Sequence, residues 1–186
     1  MVIKCDCDKE NDKDDKKDEG VTGKFLKTRT VLVSDVINKK LSEKIMSQLL
    51  LLEQEDPDKE IKMFINSPGG DADAGFAILD MIRFVKPKVK AICAGVAASA
   101  AVIILLGAKK EDRFSLPNAR VLIHQPSTGI QGTAADIQIE ASEILKCREK
   151  INKLIAAETG QSLDKVENDT KRNLWISAEE ALEYGL

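Results

Sequence analysis

An α/β fold with mostly parallel strands is predicted by three features of the chain. From residue 30 onward, short strand-like runs alternate with stretches of helical period. The runs ICAG (92–95) and VLIH (121–124) are apolar without alternation, as in strands buried on both faces of a sheet. Turns of small residues stand between strand-like and helix-like segments, at Pro68-Gly69-Gly70 and around Ser99.

TVLVSD (30–35) reads as a short strand. Residues 40–55 form a helix with Leu41, Ile45, Leu49 and Leu52 on one face, and Asp56-Pro57 stop it. IKMFINS (61–67) is a strand that runs into Pro68-Gly69-Gly70. Residues 71–84 are helical, with Phe76, Leu79, Met81 and Ile82 available to a core. Beyond Pro87 lies a third strand, VKAICAG (89–95), then a small-residue helix over about 97–106. ARVLIHQ (119–125) is a fourth strand. A long helix covers about 133–159, ended by Gly160 at a position that favours left-handed backbone. Its apolar stripe (Ile137, Ala141, Ile144, Ile151, Ile155) is narrow, and its length exceeds the globular norm. Such a helix either projects to pack on a neighbouring copy or lies flat over the sheet; projection is the expectation. Ser177 with Glu180 forms a capping-box signature, and Gly185 ends that last helix.

A length of 186 residues suits one domain with a real core. A net charge of −3 and 4% aromatic residues give no electrostatic or stacking case for nucleic acid. The longest apolar run, 97–108, is too short to span a bilayer, and the polar start MVIKCDCDKEND has no signal-peptide core. The expectation is a cytoplasmic protein without a membrane part. Cys5, Cys7, Cys93 and Cys147 fit that compartment as reduced thiols. Cys5 and Cys7 lack a matching second pair, so no metal is expected. The first 24 residues read as a flexible acidic tail, a solvated segment rather than an interaction arm.

His124 is the single histidine, so any Ser–His hydrolysis must use it. A lone histidine at a strand end is more often structural than catalytic, but its company changes the reading. The segment AGVAASAA (94–101) places Ser99 among small residues at a strand-to-helix turn, where free backbone N–H groups point outward. Ser99 reads there either as a nucleophile or as a helix cap. Ser67-Pro68-Gly69-Gly70 reads either as a tight turn or as a source of oxyanion donors. Together they suggest acyl transfer at the C-terminal ends of adjacent strands, where open α/β sheets place ligands.

NSPGG (66–70), GVAASAA (95–101) and LIHQPSTGIQGTAADIQIEASEIL (122–145) resemble three signature blocks of the ClpP family, and SAEEALEYGL (177–186) resembles its C-terminal block. The resemblance runs from about Phe25 to Leu186, in order, with the family's spacing of 25 from serine to histidine. It implies a ClpP/crotonase-like fold of repeated β-β-α and βα units. The head would be about 25–122 and 160–186, and a projecting handle helix would lie within about 123–159. It implies a serine endopeptidase with Ser99 and His124 catalytic and the N–H groups of Gly70 and Ala100 as the oxyanion hole. Small substitutions at those two positions are expected to say little. Subunits would form heptameric rings stacked as a tetradecamer. The segment Gln125 to Gly132 would pair between rings. An AAA+ unfoldase would use ATP and deliver unfolded protein, for protein quality control, and would dock at Phe84, Ile92 and Phe114. The peptidase chain itself would need no cofactor. The family usually continues a short way past the position of Leu186.

Three positions depart from the family. Asn173 stands 49 residues after His124, where the triad acid is usual. An amide can accept the imidazole Nδ1–H, but it adds no charge, and when flipped it forces the wrong tautomer. In a serine protease the Asp-to-Asn change costs about 10⁴ in rate. Either Asn173 is held correctly, or activity is weak, or Asp169 one turn earlier substitutes. Ala101 stands where a glycine is frequent, which would tighten the site. Lys62 replaces an aromatic of the docking pocket, which would weaken docking or make it selective. Three functions remain open: an active peptidase; a weak or inactive regulatory subunit in a mixed ring with an Asp-bearing paralogue; and an acyl-CoA enzyme on the related crotonase fold.

Overall fold

A computed structural model describes residues 20–186. Residues 1–19, with Cys5, Cys7 and most of the acidic tail, lie outside the described residues. Helix α1 occupies residues 20–27, so residues 20–24, read from the sequence as the end of a flexible tail, are helical.

One six-stranded sheet organises the chain. Its order is β1 (Thr30–Val33), β2 (Ile61–Ser67), β3 (Val89–Ala98), β5 (Arg120–Ile123) and β6 (Leu174–Ser177), and β4 (Arg113–Ser115) also pairs with β3. The first five strands pair in parallel, and β6 is antiparallel to β5. The connecting helices are α2 (Lys39–Glu55), α3 (Ala72–Phe84) and α4 (Ala100–Leu105), followed by α5 (Ala134–Thr159), α6 (Leu163–Asp169) and α7 (Ala178–Tyr184).

Burial follows strand parity. Val31, Val33, Ile61, Met63, Ile65, Ala91 and Cys93 are buried in one cluster with Ile45, Leu49 and Leu52 of α2 and Ile78 and Leu79 of α3. The alternate residues Leu32, Phe64, Ile92 and Phe114 stand in register across β1 to β4 and are only partly buried or exposed. The expectation that ICAG is buried on both faces is therefore corrected. Its outward side chain, Ile92, is apolar, but among the described residues no helix buries that row.

Strand β3 runs three residues further than its sequence suggests, because Val96–Ala98 pair with Arg120–Leu122 of β5. That pairing overrides the helix preference of the alanines, and α4 begins only at Ala100. The elements β4, α6 and β6 are three to seven residues long, too short to show a period. The long helix starts with a Thr133–Asp136 capping box and ends at Gly160 in left-handed backbone. Its buried residues are Ile151, Asn152, Ile155 and Thr159, all in the last third.

That last third is tied to the head by a buried guanidinium. The Arg113 side chain is 2% exposed and pairs with Glu158, which also binds Arg83 at 2.7 Å. Arg113 Nε donates to Ala108 O at 2.9 Å. Burial lowers the guanidinium's pKa, and the Glu158 charge opposes that shift. Arg113→Met is expected to cost about 2 kcal/mol of stability, because Glu158 keeps Arg83 but the Ala108 and Glu158 carbonyls lose their donor; urea unfolding of the two proteins checks this.

Candidate active site

The turn that carries Ser99 is built by a break in the β2–β3 ladder. Register shifts between Ile65↔Cys93 and Ser67↔Ala97. Gly95 lies at the break with φ +119, where a Cβ would meet Asn66 Oδ1 at 2.5 Å, so this backbone requires glycine. Asn66 Oδ1 in turn accepts the Val96 N–H at 3.1 Å. The re-aimed strand end delivers Ser99 at φ 56 and ψ −118. Such backbone costs on the order of 1–3 kcal/mol and persists only when its surroundings fix it. Here the Ser99 N–H donates to Leu122 O at 2.9 Å. Ser99 precedes α4, yet its side chain makes no capping bond, so the cap reading does not hold.

The Pro-Gly-Gly turn presses on the same spot. Ser67 is fully buried; its hydroxyl donates to Asp35 O at 2.6 Å and accepts the Gly69 N–H at 3.1 Å. A Cβ on Gly69 would lie 2.4 Å from Ala98 O and 2.8 Å from Ser99 Cβ. Gly70, at φ +147, bridges Ile37, and a Cβ there would meet Ile37 O at 2.2 Å. Small substitutions at Gly70 are thus far from silent, contrary to the expectation from its lack of a side chain. Among the described residues, the N–H groups of Gly70 and Ala100 donate to no protein acceptor.

Ser99, His124, Gly70 and Ala100 line one cavity of about 390 Å³, walled by Val102, Ile103, Leu122, Ile151 and Ile155. His124 Nδ1 lies 2.9 Å from Asn173 Oδ1. An amide oxygen only accepts, so this geometry calls for a proton on Nδ1 and leaves Nε2 as a base. Asn173 is exposed, and no hydrogen bond joins Ser99 to His124 among the described residues. Asp169 is not the substitute acid. Its Oδ2 accepts from Tyr184 Oη at 2.8 Å and from Lys165 Nζ at 2.6 Å. Ala101 is fully buried and does not line the cavity, which corrects the idea that it tightens the site. Burial pushes the Cys93 thiol up to about 11 and also raises Cys147, so neither offers a thiolate near neutral pH.

These features invite comparison with known proteins. The Clp protease family model matches residues 13–186. A proteolytic subunit 2 of ATP-dependent Clp protease from Treponema denticola is 56% identical over 91% of this chain and 84% of its own length. Its counterpart from Treponema pallidum is 52% identical over 99% of this chain and 93% of its own length. The chain belongs to the Clp protease family. The solved structure of an Asn-to-Asp mutant of ClpP1 from Listeria monocytogenes superposes with a TM-score of 0.81 at 50% identity. That match covers 89% of this chain and 92% of the other. The fold is accordingly ClpP-like, and the family is one of serine endopeptidases. Membership in it sets aside the acyl-CoA alternative.

Of the three surface residues singled out for docking, Ile92 and Phe114 are paired in register and Phe84 is not part of that row. Phe84 ends α3 and is 75% exposed. Sequence reasoning missed Leu32 and Phe64, which extend the row, because only the register reveals them. Lys62 stands two residues from Phe64 on the same outward face, opposite Lys90. Among the described residues no cluster of three His, Cys, Asp or Glu could hold a metal, and no helix is long and apolar enough to cross a membrane.

Gly70→Ala is expected to lower stability by about 2 kcal/mol or more, through the clash with Ile37 and the disfavoured φ. A calorimetric midpoint matching that of the parent protein would contradict this.

Proposed function

We propose that this chain is the peptidase subunit of a self-compartmentalised, ATP-dependent Clp protease, with Ser99 as nucleophile, His124 as base and Asn173 as the residue that orients the imidazole. The observation that carries this is the 2.9 Å contact between His124 Nδ1 and Asn173 Oδ1, beside a cavity shared with Ser99. Ser99 Oγ attacks the scissile carbonyl carbon and passes its proton to His124 Nε2. The Gly70 and Ala100 N–H groups receive the oxyanion. Collapse of the intermediate breaks the C–N bond as Nε2 returns the proton to the leaving amine. Water then releases the acyl group by the same route. The apolar wall of the cavity suits an apolar substrate side chain.

Asn173 fixes the tautomer but supplies no charge to the imidazolium, so the peptidase is weak or conditional. Its exposure leaves water to compete for the bond. Assembly into heptameric rings and a tetradecamer, the arrangement the family suggests, would exclude that water. A catalytic hydrogen bond missing in an unliganded site often forms only with substrate in place. The substrates are unfolded polypeptides delivered in the cytoplasm by an AAA+ unfoldase. That partner uses the ATP and docks on the outer apolar row with Ile92 and Phe114, with Phe84 contributing from a neighbouring subunit. Lys62 beside the row makes docking selective.

A second reading is favoured by the neutral, exposed Asn173: a regulatory subunit that works in a mixed ring with an Asp-bearing paralogue. A fluorogenic short-peptide assay, with particle size checked by light scattering, separates the two. The peptidase reading predicts cleavage that Ser99→Ala abolishes and that Asn173→Asp raises by about tenfold or more. A full-size ring without Ser99-dependent cleavage would move the assignment to the regulatory role.

A further inference from the structure

The base of the long helix α5 reaches the His124–Asn173 pair through a buried polar contact. Asn152 is 2% exposed and Thr170 is 1% exposed. The Thr170 hydroxyl donates to Asn152 Oδ1 at 3.0 Å and to Val166 O at 2.8 Å, one proton shared between two acceptors. Thr170 caps the C-terminal end of α6, and its own carbonyl accepts the Gln125 N–H at 2.7 Å. Gln125 follows His124 in the chain, and its Nε2 donates to Lys171 O at 2.9 Å. Two hydrogen bonds therefore clamp residues 170–171 to the residue after the base. On the other side of the pair, Ile123 and Leu174 hold the last register of the β5–β6 ladder. His124 and Asn173 sit between the ladder and the clamp.

We propose that Asn152 and Thr170 are positioning residues that set the distance between His124 and Asn173 and couple it to helix α5. Two physical considerations support this. A buried amide facing a buried hydroxyl specifies one arrangement, where a pair of leucine-like residues would pack in several. A neutral acceptor also attracts the imidazole less than a carboxylate does. The pair must then be held by its surroundings rather than by charge. Ile151 and Ile155, which flank Asn152 on the same helix, line the cavity itself. A shift of α5 would reach the substrate wall and the clamp together.

This inference rests on the reading of His124 as the base. Because His124 is the only histidine, nitrogen-15 NMR of histidine-labelled full-length protein reports its tautomer without needing cleavage. The parent protein should show the Nδ1–H form. Thr170→Val and Asn152→Leu should shift it toward the Nε2–H form. Each should also lower kcat on short peptides by on the order of tenfold to a hundredfold, with KM little changed. Thr170→Ser, which keeps the hydroxyl, should restore the parent tautomer and rate. If Thr170→Val does not fold, Asn152→Leu decides the same question. A folded, parent-sized variant that keeps the Nδ1–H form would overturn the positioning link. A parent protein without the Nδ1–H form would instead overturn the reading of the His124–Asn173 bond.

Discussion

Ser99 holds a left-handed backbone, and the site depends on the segments that enforce it. Leu122 of β5 takes its N–H, the Gly69 turn packs against its Cβ, and the ladder break at Asn66 and Gly95 aims the strand. Those contacts come from β5, from the C-terminal end of β2 and from β3 itself. Ser99 is thus positioned by the sheet rather than by a local motif. The same constraint leaves the Ala100 N–H at the open start of α4, in the cavity that Gly70 also lines.

The long periodic elements were legible in the sequence. Helices α2, α3 and α5 and strand β2 lie within a residue or so of their sequence-based bounds, because their apolar spacing and caps are local signals. What escaped was set by pairing across distant segments. The last three residues of β3 are strand only because β5 lies beside them. Strands β4 and β6 are short pieces completed by their neighbours. Of the two apolar runs read as buried on both faces, the β5 run is buried at Val121, Leu122 and Ile123 but ICAG is not, since a sequence does not distinguish a covered face from one left open.

The site divides in the same way. His124 and Asn173 could be paired only through the family resemblance, which puts the third residue 49 positions after the histidine, and the structure places them in contact. The cap reading of Ser99 could be set aside only once its side chain was found to make no capping bond. Asn152 and Thr170 carried no signal, because a lone Asn in a helix and a lone Thr after one are ordinary residues until folding buries them together. Gly70 looked indifferent to substitution because the carbonyl of Ile37 that crowds it comes from another loop. Asp169 was a reasonable substitute acid by helical spacing, yet Tyr184 and Lys165 hold it elsewhere.

A neutral orienting residue changes what the surrounding protein must supply. A carboxylate draws the imidazolium by charge over a range of geometries; an amide works only when placed and when water is kept away. On the proposed reading, burial of the pair, by substrate or by neighbouring subunits, is part of the chemistry rather than an accessory to it. The most direct measurement of this account is labelling of the assembled protein with a fluorophosphonate, followed by mass spectrometry of the modified peptide. Modification of Ser99, lost in His124→Ala, is the predicted result. An assembled ring in which Ser99 stays unlabelled would contradict it.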